Sequence, residues 1–140
     1  MDRKRLRDLF EQAMDRAWLA ERKGDYAQAF AELERAHILG QRWLIRHLRS
    51  HWGMLRIARK TGDWREARGQ ITRLIGSPLF WLVGWLPKGN PGGANISPVK
   101  PVPLQGDLAV ELAGYSVWRD VAMRFGIAAL AFGGLWFLGR

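Results

Sequence analysis

The sequence contains no cysteine, which excludes disulfides, a thiolate nucleophile, a zinc ribbon and a cysteine-held iron–sulfur cluster together. Acidic residues are scarce beside basic ones, 13 Asp+Glu against 22 Lys+Arg, for a formal charge of +9. That balance points to anionic surfaces as partners, namely lipid headgroups, nucleic acid or an acidic protein, without choosing among them. The first 76 residues have no proline and no uncharged run of membrane length. A secretory signal is not expected either, because Met1-Asp2-Arg3-Lys4-Arg5 leads into an amphipathic stretch with acids throughout. This charged half is therefore expected in the cytoplasm. At 140 residues, with 48% hydrophobic and 25% charged, the chain has apolar surface enough for one domain, which excludes global disorder and a multidomain enzyme.

What is present divides into three segments. Residues 1–76 carry most of the charge and read as four helices; residues 77–106 form an apolar segment and a Gly/Pro-rich loop; residues 107–140 end in an apolar helix. All six prolines and the larger share of the glycines lie beyond residue 76. Helix A is predicted from Arg3 to Lys23, because Leu6, Leu9, Phe10, Ala13, Ala17 and Trp18 recur at helical spacing. Gly24-Asp25 breaks and recaps the chain, and Tyr26, Ala29, Phe30, Leu33, Ala36 and His37 form the stripe of helix B, which Gly40 ends. Helix C runs from Gln41 to Thr61. Gly62-Asp63 breaks it, and Trp64, Ala67, Ile71 and Leu74 mark helix D. The pattern Gly24-Asp25-Tyr26-x-x-Ala29-x-x-x-Leu33 returns as Gly62-Asp63-Trp64-x-x-Ala67-x-x-x-Ile71, so the region resembles two tetratricopeptide units. The fold class expected is all-α, two tetratricopeptide-like hairpins followed by the connector and the terminal helix.

All three histidines point toward the helix seam. His47 and His51, one turn apart on the apolar face of helix C, aim at one point, and His37 faces them from helix B. Three such imidazoles suit Zn, Cu, Ni or Fe, with Glu34, one turn before His37, as a fourth ligand or an orienting partner. The alternative is a set of core histidines hydrogen-bonded to backbone, Glu34 or Tyr26. On the opposite face of helix C, Arg42, Arg46, Arg49, Arg56 and Lys60 make a basic stripe for an anion or an acidic partner, or else a solvated surface. No nucleic-acid motif accompanies the stripe, and nucleic acid is not the expected partner. In the loop, Gly89, Asn90, Gly92, Gly93 and Asn95 permit left-handed backbone and either an anion-binding nest or a rigid connector across the helices.

Three ordered motifs carry a family resemblance: Ala36-His37-Ile38-Leu39-Gly40-Gln41, then His47-x-x-x-His51-Trp52-x-Met54-Leu55, then Gly89-Asn90-x-Gly92-Gly93-Ala94-Asn95-Ile96-Ser97 with Lys100-Pro101. Over about residues 5–112 the chain resembles the bacterial domain-of-unknown-function family 3703. Members of that family often lie in heavy-metal resistance islands, so the resemblance implies a metal connection and no particular activity. It marks His37, His47, His51 and the Gly-Asn loop. The chain departs from it at Trp43, where relatives often place another histidine, and in continuing well past residue 112.

Val121–Leu138, about 27 Å long as a helix, approaches bilayer thickness, with Trp118 and Trp136 near opposite ends. Arg124 lies within snorkelling reach of one end, and Ala122-x-x-x-Gly126 and Ala129-x-x-x-Gly133 offer small faces to another helix. Residues 115–140 are thus expected to meet membrane lipid or a membrane-protein complex, with the basic half on the cytoplasmic face of the inner membrane. A buried helix closing a cytoplasmic protein is the alternative. With no serine elbow and no paired carboxylates, a non-catalytic role is expected. The leading expectation is a small membrane-associated accessory protein binding a transition metal through the three histidines; the other is a helical interaction module or auxiliary subunit of a membrane complex.

Overall fold

Each Gly-Asp pair ends one helix and starts the next. In the computed structural model, which describes residues 2–139, the order is α1 (Arg3–Arg22), α2 (Tyr26–Gly40), α3 (Leu44–Thr61), α4 (Trp64–Val83), α5 (Gly106–Glu111) and α6 (Val117–Leu138). Gly24 and Gly62 adopt φ of +76° and +74°, a region that costs glycine little. Asp25 and Asp63 then cap the following helices, accepting from the backbone N–H of Gln28 at 3.0 Å and Glu66 at 2.9 Å. The repeated motif is thus a repeated turn chemistry. α1 packs on α2, α2 on α3 and α3 on α4, and no strand occurs among the described residues.

Two apolar clusters hold the array. Ala17, Ala20, Ala29, Leu33, Met54 and Ile57 knit α1, α2 and α3 together, and Leu6, Phe10, Ala13, Ala36 and Leu39 join α1 to α2 at the other end, where Leu112 and Tyr115 close the cluster. Gly53 permits the α2–α3 approach: a Cβ there would lie 2.5 Å from Leu33 Cδ2. Beyond α4 the chain runs back across the helices as an extended connector, and α5 is clipped to α1 and α2 by ion pairs of Arg5 with Glu111 and Arg35 with Asp107.

Three details depart from the periodicity. Trp18, Trp64 and Ile71, placed in the apolar stripes, are exposed; α4 instead buries Ala67, Gln70 and Ser77. α4 also continues past residue 76, through Pro78 to Val83, so the sequence boundary there falls inside a helix. Finally, α6 is not a core helix. None of its most apolar 18-residue window is buried, and its first turns are held to the helical array. There Asp120 accepts from Arg42 at 2.9 and 2.8 Å, and Arg124 stacks on Trp81 at 4.5 Å. That exposure means that α6 does not close the core of the described residues.

Candidate metal centre

α2 supplies His37, and α3 supplies His47 and His51 one turn apart, so the close α2–α3 packing sets the His37 ring edge-to-face with the other two, which are tilted to each other. All are buried, with ring centroids 4.6 to 4.7 Å apart. His47 Nε2 lies 2.8 Å from His37 Nε2 and 3.0 Å from His51 Nε2. These are the three residues among those described whose ligand atoms gather as a metal site would require.

The far side of each ring decides which nitrogen carries the proton. His37 Nδ1 lies 2.9 Å from the Asn90 carbonyl, which only accepts, so Nδ1 is the donor and Nε2 carries the lone pair. His51 Nδ1 lies 2.7 Å from Gln70 Oε1. The orientation of that amide follows from its own bonds, since Gln70 Nε2 donates to Glu66 Oε1 at 2.6 Å and to the Gly92 carbonyl at 2.9 Å. His51 therefore also donates through Nδ1 and presents a bare Nε2. A single proton on His47 Nε2 serves one of its two neighbours, leaving the other contact as lone pair against lone pair. One cation in place of that proton satisfies all three. With metal–nitrogen bonds of about 2.0–2.1 Å, a tetrahedral ion would space its nitrogens about 3.3 Å apart, so the two contacts of His47 would need to open by only a few tenths of an ångström.

Burial also keeps the rings in the ligating, neutral form. Desolvation, then the neighbouring imidazoles, lowers His37 well below its usual value; desolvation, then His51, lowers His47 to about 3; desolvation lowers His51 to about 4 against the opposing pull of Gln70. Unfolded histidines protonate near pH 6.5, so the metal-free fold has its full stability above that pH and loses it as pH falls from 6.5 toward 4. The slope is about 1.4 kcal/mol per pH unit for each histidine. Glu34, raised by burial and then by Glu66, works in the opposite direction. Chelator-treated protein should therefore show a denaturation midpoint that falls steadily between pH 6.5 and 5; a flat midpoint contradicts this electrostatic account.

The Gly-Asn loop closes over the cluster. Asn90 is itself buried, its side chain donating to the Ser97 and Lys100 carbonyls and accepting from Gly92 N–H. Arg73 ties the loop to α4 through the carbonyls of Gly93 and Ile96, and Glu66 accepts from Ala94 N–H. The Asn90 amide and the Gly92 and Ala94 N–H groups are thus spent within the fold, and the loop forms a lid over the rings. Gly89 lies beside Val102, and Asn95 lies on the outer side, near Phe30 and Thr61. Gly92 is the critical glycine, at φ +87° with a would-be Cβ 2.8 Å from His37 Cδ2. Gly92→Ala is expected to cost roughly 2–4 kcal/mol and to weaken metal binding, because strain and overpacking act on the ring itself. Thermal denaturation and a metal titration of the variant check both; wild-type values for both would contradict the close fit.

The other predicted positions are placed differently. Glu34 stands outside the cluster, its carboxylate against Gly93, since its turn of α2 faces the lid and not the ring nitrogens. The basic stripe makes ion pairs and a ring contact within the chain. Arg42 binds Asp120, Arg49 binds Glu11 at 2.8 Å, Arg56 and Lys60 share Glu21 at 2.5 and 2.8 Å, and Arg46 stacks on Trp43 at 4.6 Å. Opposite charges on α1 and α6 account for this. Two buried glutamines escaped the sequence reading: Gln70, which orients His51, and Gln41, which lines the cavity beside the rings. A polar residue between Ala67 and Leu74 on an apolar stripe was the available signal for Gln70.

A family model described as a protein of unknown function, DUF3703, matches residues 4–112. The chain belongs to the DUF3703 family. The DUF3703 segment takes in α1 to α5, all three histidines, Gln70 and the lid, whereas α6 lies beyond it. No curated protein and no solved structure matches the chain.

Proposed function

We propose that this DUF3703 protein is a small membrane-anchored accessory protein that binds one transition-metal ion through Nε2 of His37, His47 and His51. The observation that carries the reading is the pair of fixed tautomers: Asn90 and Gln70 hold two of three convergent imidazoles with their lone pairs turned inward. Core histidines of a purely structural kind have no need of that arrangement, whereas metal-bound histidines commonly donate their other N–H in this way. Neutral imidazoles suit Zn, Cu, Ni or Fe.

Anchoring rests on α6. Its 22 residues have a mean hydropathy of 1.7 in the most apolar window, and at about 33 Å the helix matches the ~30 Å hydrocarbon core. Exposure of Phe125, Ile127, Leu130, Phe132, Leu135 and Phe137 in water would be costly, and a bilayer removes that cost. Basic residues on the helical array favour the cytoplasmic face of the inner membrane. A second reading, an auxiliary subunit docked through α6 to other membrane helices, is favoured by Gly126 and Gly133, where a side chain would meet nothing within 4 Å.

The test is a cobalt titration of chelator-treated, untagged full-length protein in mild detergent. One equivalent should bind and develop the visible bands of histidine-ligated Co(II). Failure to take up Co, Zn, Cu or Ni would remove the metal from the account and leave the auxiliary-subunit reading.

A further inference from the structure

A cavity of about 30 Å³ adjoins the three rings, lined among others by Gln41, Arg73 and Ser77. It holds space for at least one small molecule next to the ligand nitrogens. Gln41 is 2% exposed, and its Nε2, an amide with two hydrogens to donate, has no partner among the described residues. A buried donor of that kind costs free energy unless something accepts from it. Arg73, half-buried, makes its hydrogen bonds to the neutral carbonyls of Gly69, Gly93 and Ile96, so among the described residues its charge is not matched by a direct carboxylate contact. Glu66 is nearby but committed to Ala94 N–H and Gln70.

Charge decides what belongs there. Three neutral imidazoles leave a divalent ion with its full charge, and Arg73 adds a further positive charge beside it. Three protein ligands also leave a tetrahedral ion one open position. Resting on the metal reading above, we propose that the cavity is the site of an exchangeable fourth ligand, a small anion such as hydroxide or an inorganic anion, that accepts a hydrogen bond from Gln41 Nε2 and is favoured by Arg73. The centre is thereby an open one, able to take up and release a ligand, and not a closed structural zinc site.

Azide is the probe, added to the Co(II)-loaded full-length protein. Saturable changes in the cobalt visible bands are expected with the wild type, and Gln41→Leu should weaken azide binding by about tenfold while cobalt affinity stays within about threefold. If Gln41→Leu does not fold, Gln41→Met removes the same donor with a more adaptable side chain, and Arg73→Gln removes the charge while keeping an amide donor for the lid carbonyls. Cobalt bands indifferent to azide in the wild type would overturn the open position while leaving the metal site intact. Unchanged azide affinity in both the glutamine and arginine variants would overturn their assigned roles. Absence of cobalt uptake would instead remove the metal reading itself, a distinct outcome.

Discussion

Replacing His47 and His51 together by alanine is expected to abolish metal binding, a loss of at least a thousandfold in affinity, because one imidazole remains of three. The helices should survive. His47 Nδ1 has no partner among the described residues, so its removal leaves a cavity but breaks no hydrogen bond on that side. Removing His51 leaves Gln70 Oε1 without its donor, at about 1–3 kcal/mol. Gln70 stays fixed by Glu66 and the Gly92 carbonyl, which keeps the lid attached to α4. Circular dichroism and a metal titration on the same preparation separate the two effects. A folded variant that still binds metal with wild-type affinity would place the site elsewhere.

Ending the chain at Phe125 is expected to move the protein from the membrane pellet to the soluble fraction. The cut is chosen to spare the fold. It keeps Tyr115, whose hydroxyl donates to the Leu86 carbonyl at 2.8 Å, the Asp120–Arg42 pair, and Arg124 on Trp81. A cut before Tyr115 would open the α1–α2 core and leave Arg42 without its buried carboxylate, which costs roughly 3–5 kcal/mol for a pair of this kind. What the shorter cut removes is almost wholly exposed apolar surface. Metal binding should be unchanged, since no residue of the site or its lid lies beyond Lys100. A truncated chain that still resists alkaline extraction from membranes would transfer the anchoring role to the exposed apolar end of α4, at Ile75, Leu79 and Leu82.

Much of the helical layout could be read without coordinates because its signals are local. Gly24-Asp25 and Gly62-Asp63 act through their own backbone, and the i, i+4 spacing of His47 and His51 fixes their shared face wherever α3 packs. The convergence of His37 depended on which face of α2 met α3, and the apolar stripe around Leu33 carried that. Gln70 and Asn90 were not legible as partners of histidine rings. Their contacts join residues 19 and 53 positions apart in sequence, and a lone glutamine or asparagine has no period to read. The ion pairs of the basic face were hidden for a related reason: periodicity gives the face but not the acids opposite it, and Glu11, Glu21 and Asp120 came from other helices. The apolar segment expected from residue 77 begins inside α4, at Ser77-Pro78. Proline stops a helix mainly by losing one hydrogen bond and crowding the preceding turn, and here α4 carries it through to the left-handed Gly84 at φ +79°.

The most direct test is the metal content of untagged full-length protein, extracted from membranes in mild detergent and purified without chelator. The account predicts close to one transition-metal ion per chain, removed by chelator and restored by adding back that ion. Protein that is folded, carries no transition metal and takes up none when Zn, Cu, Ni or Fe is supplied would contradict it.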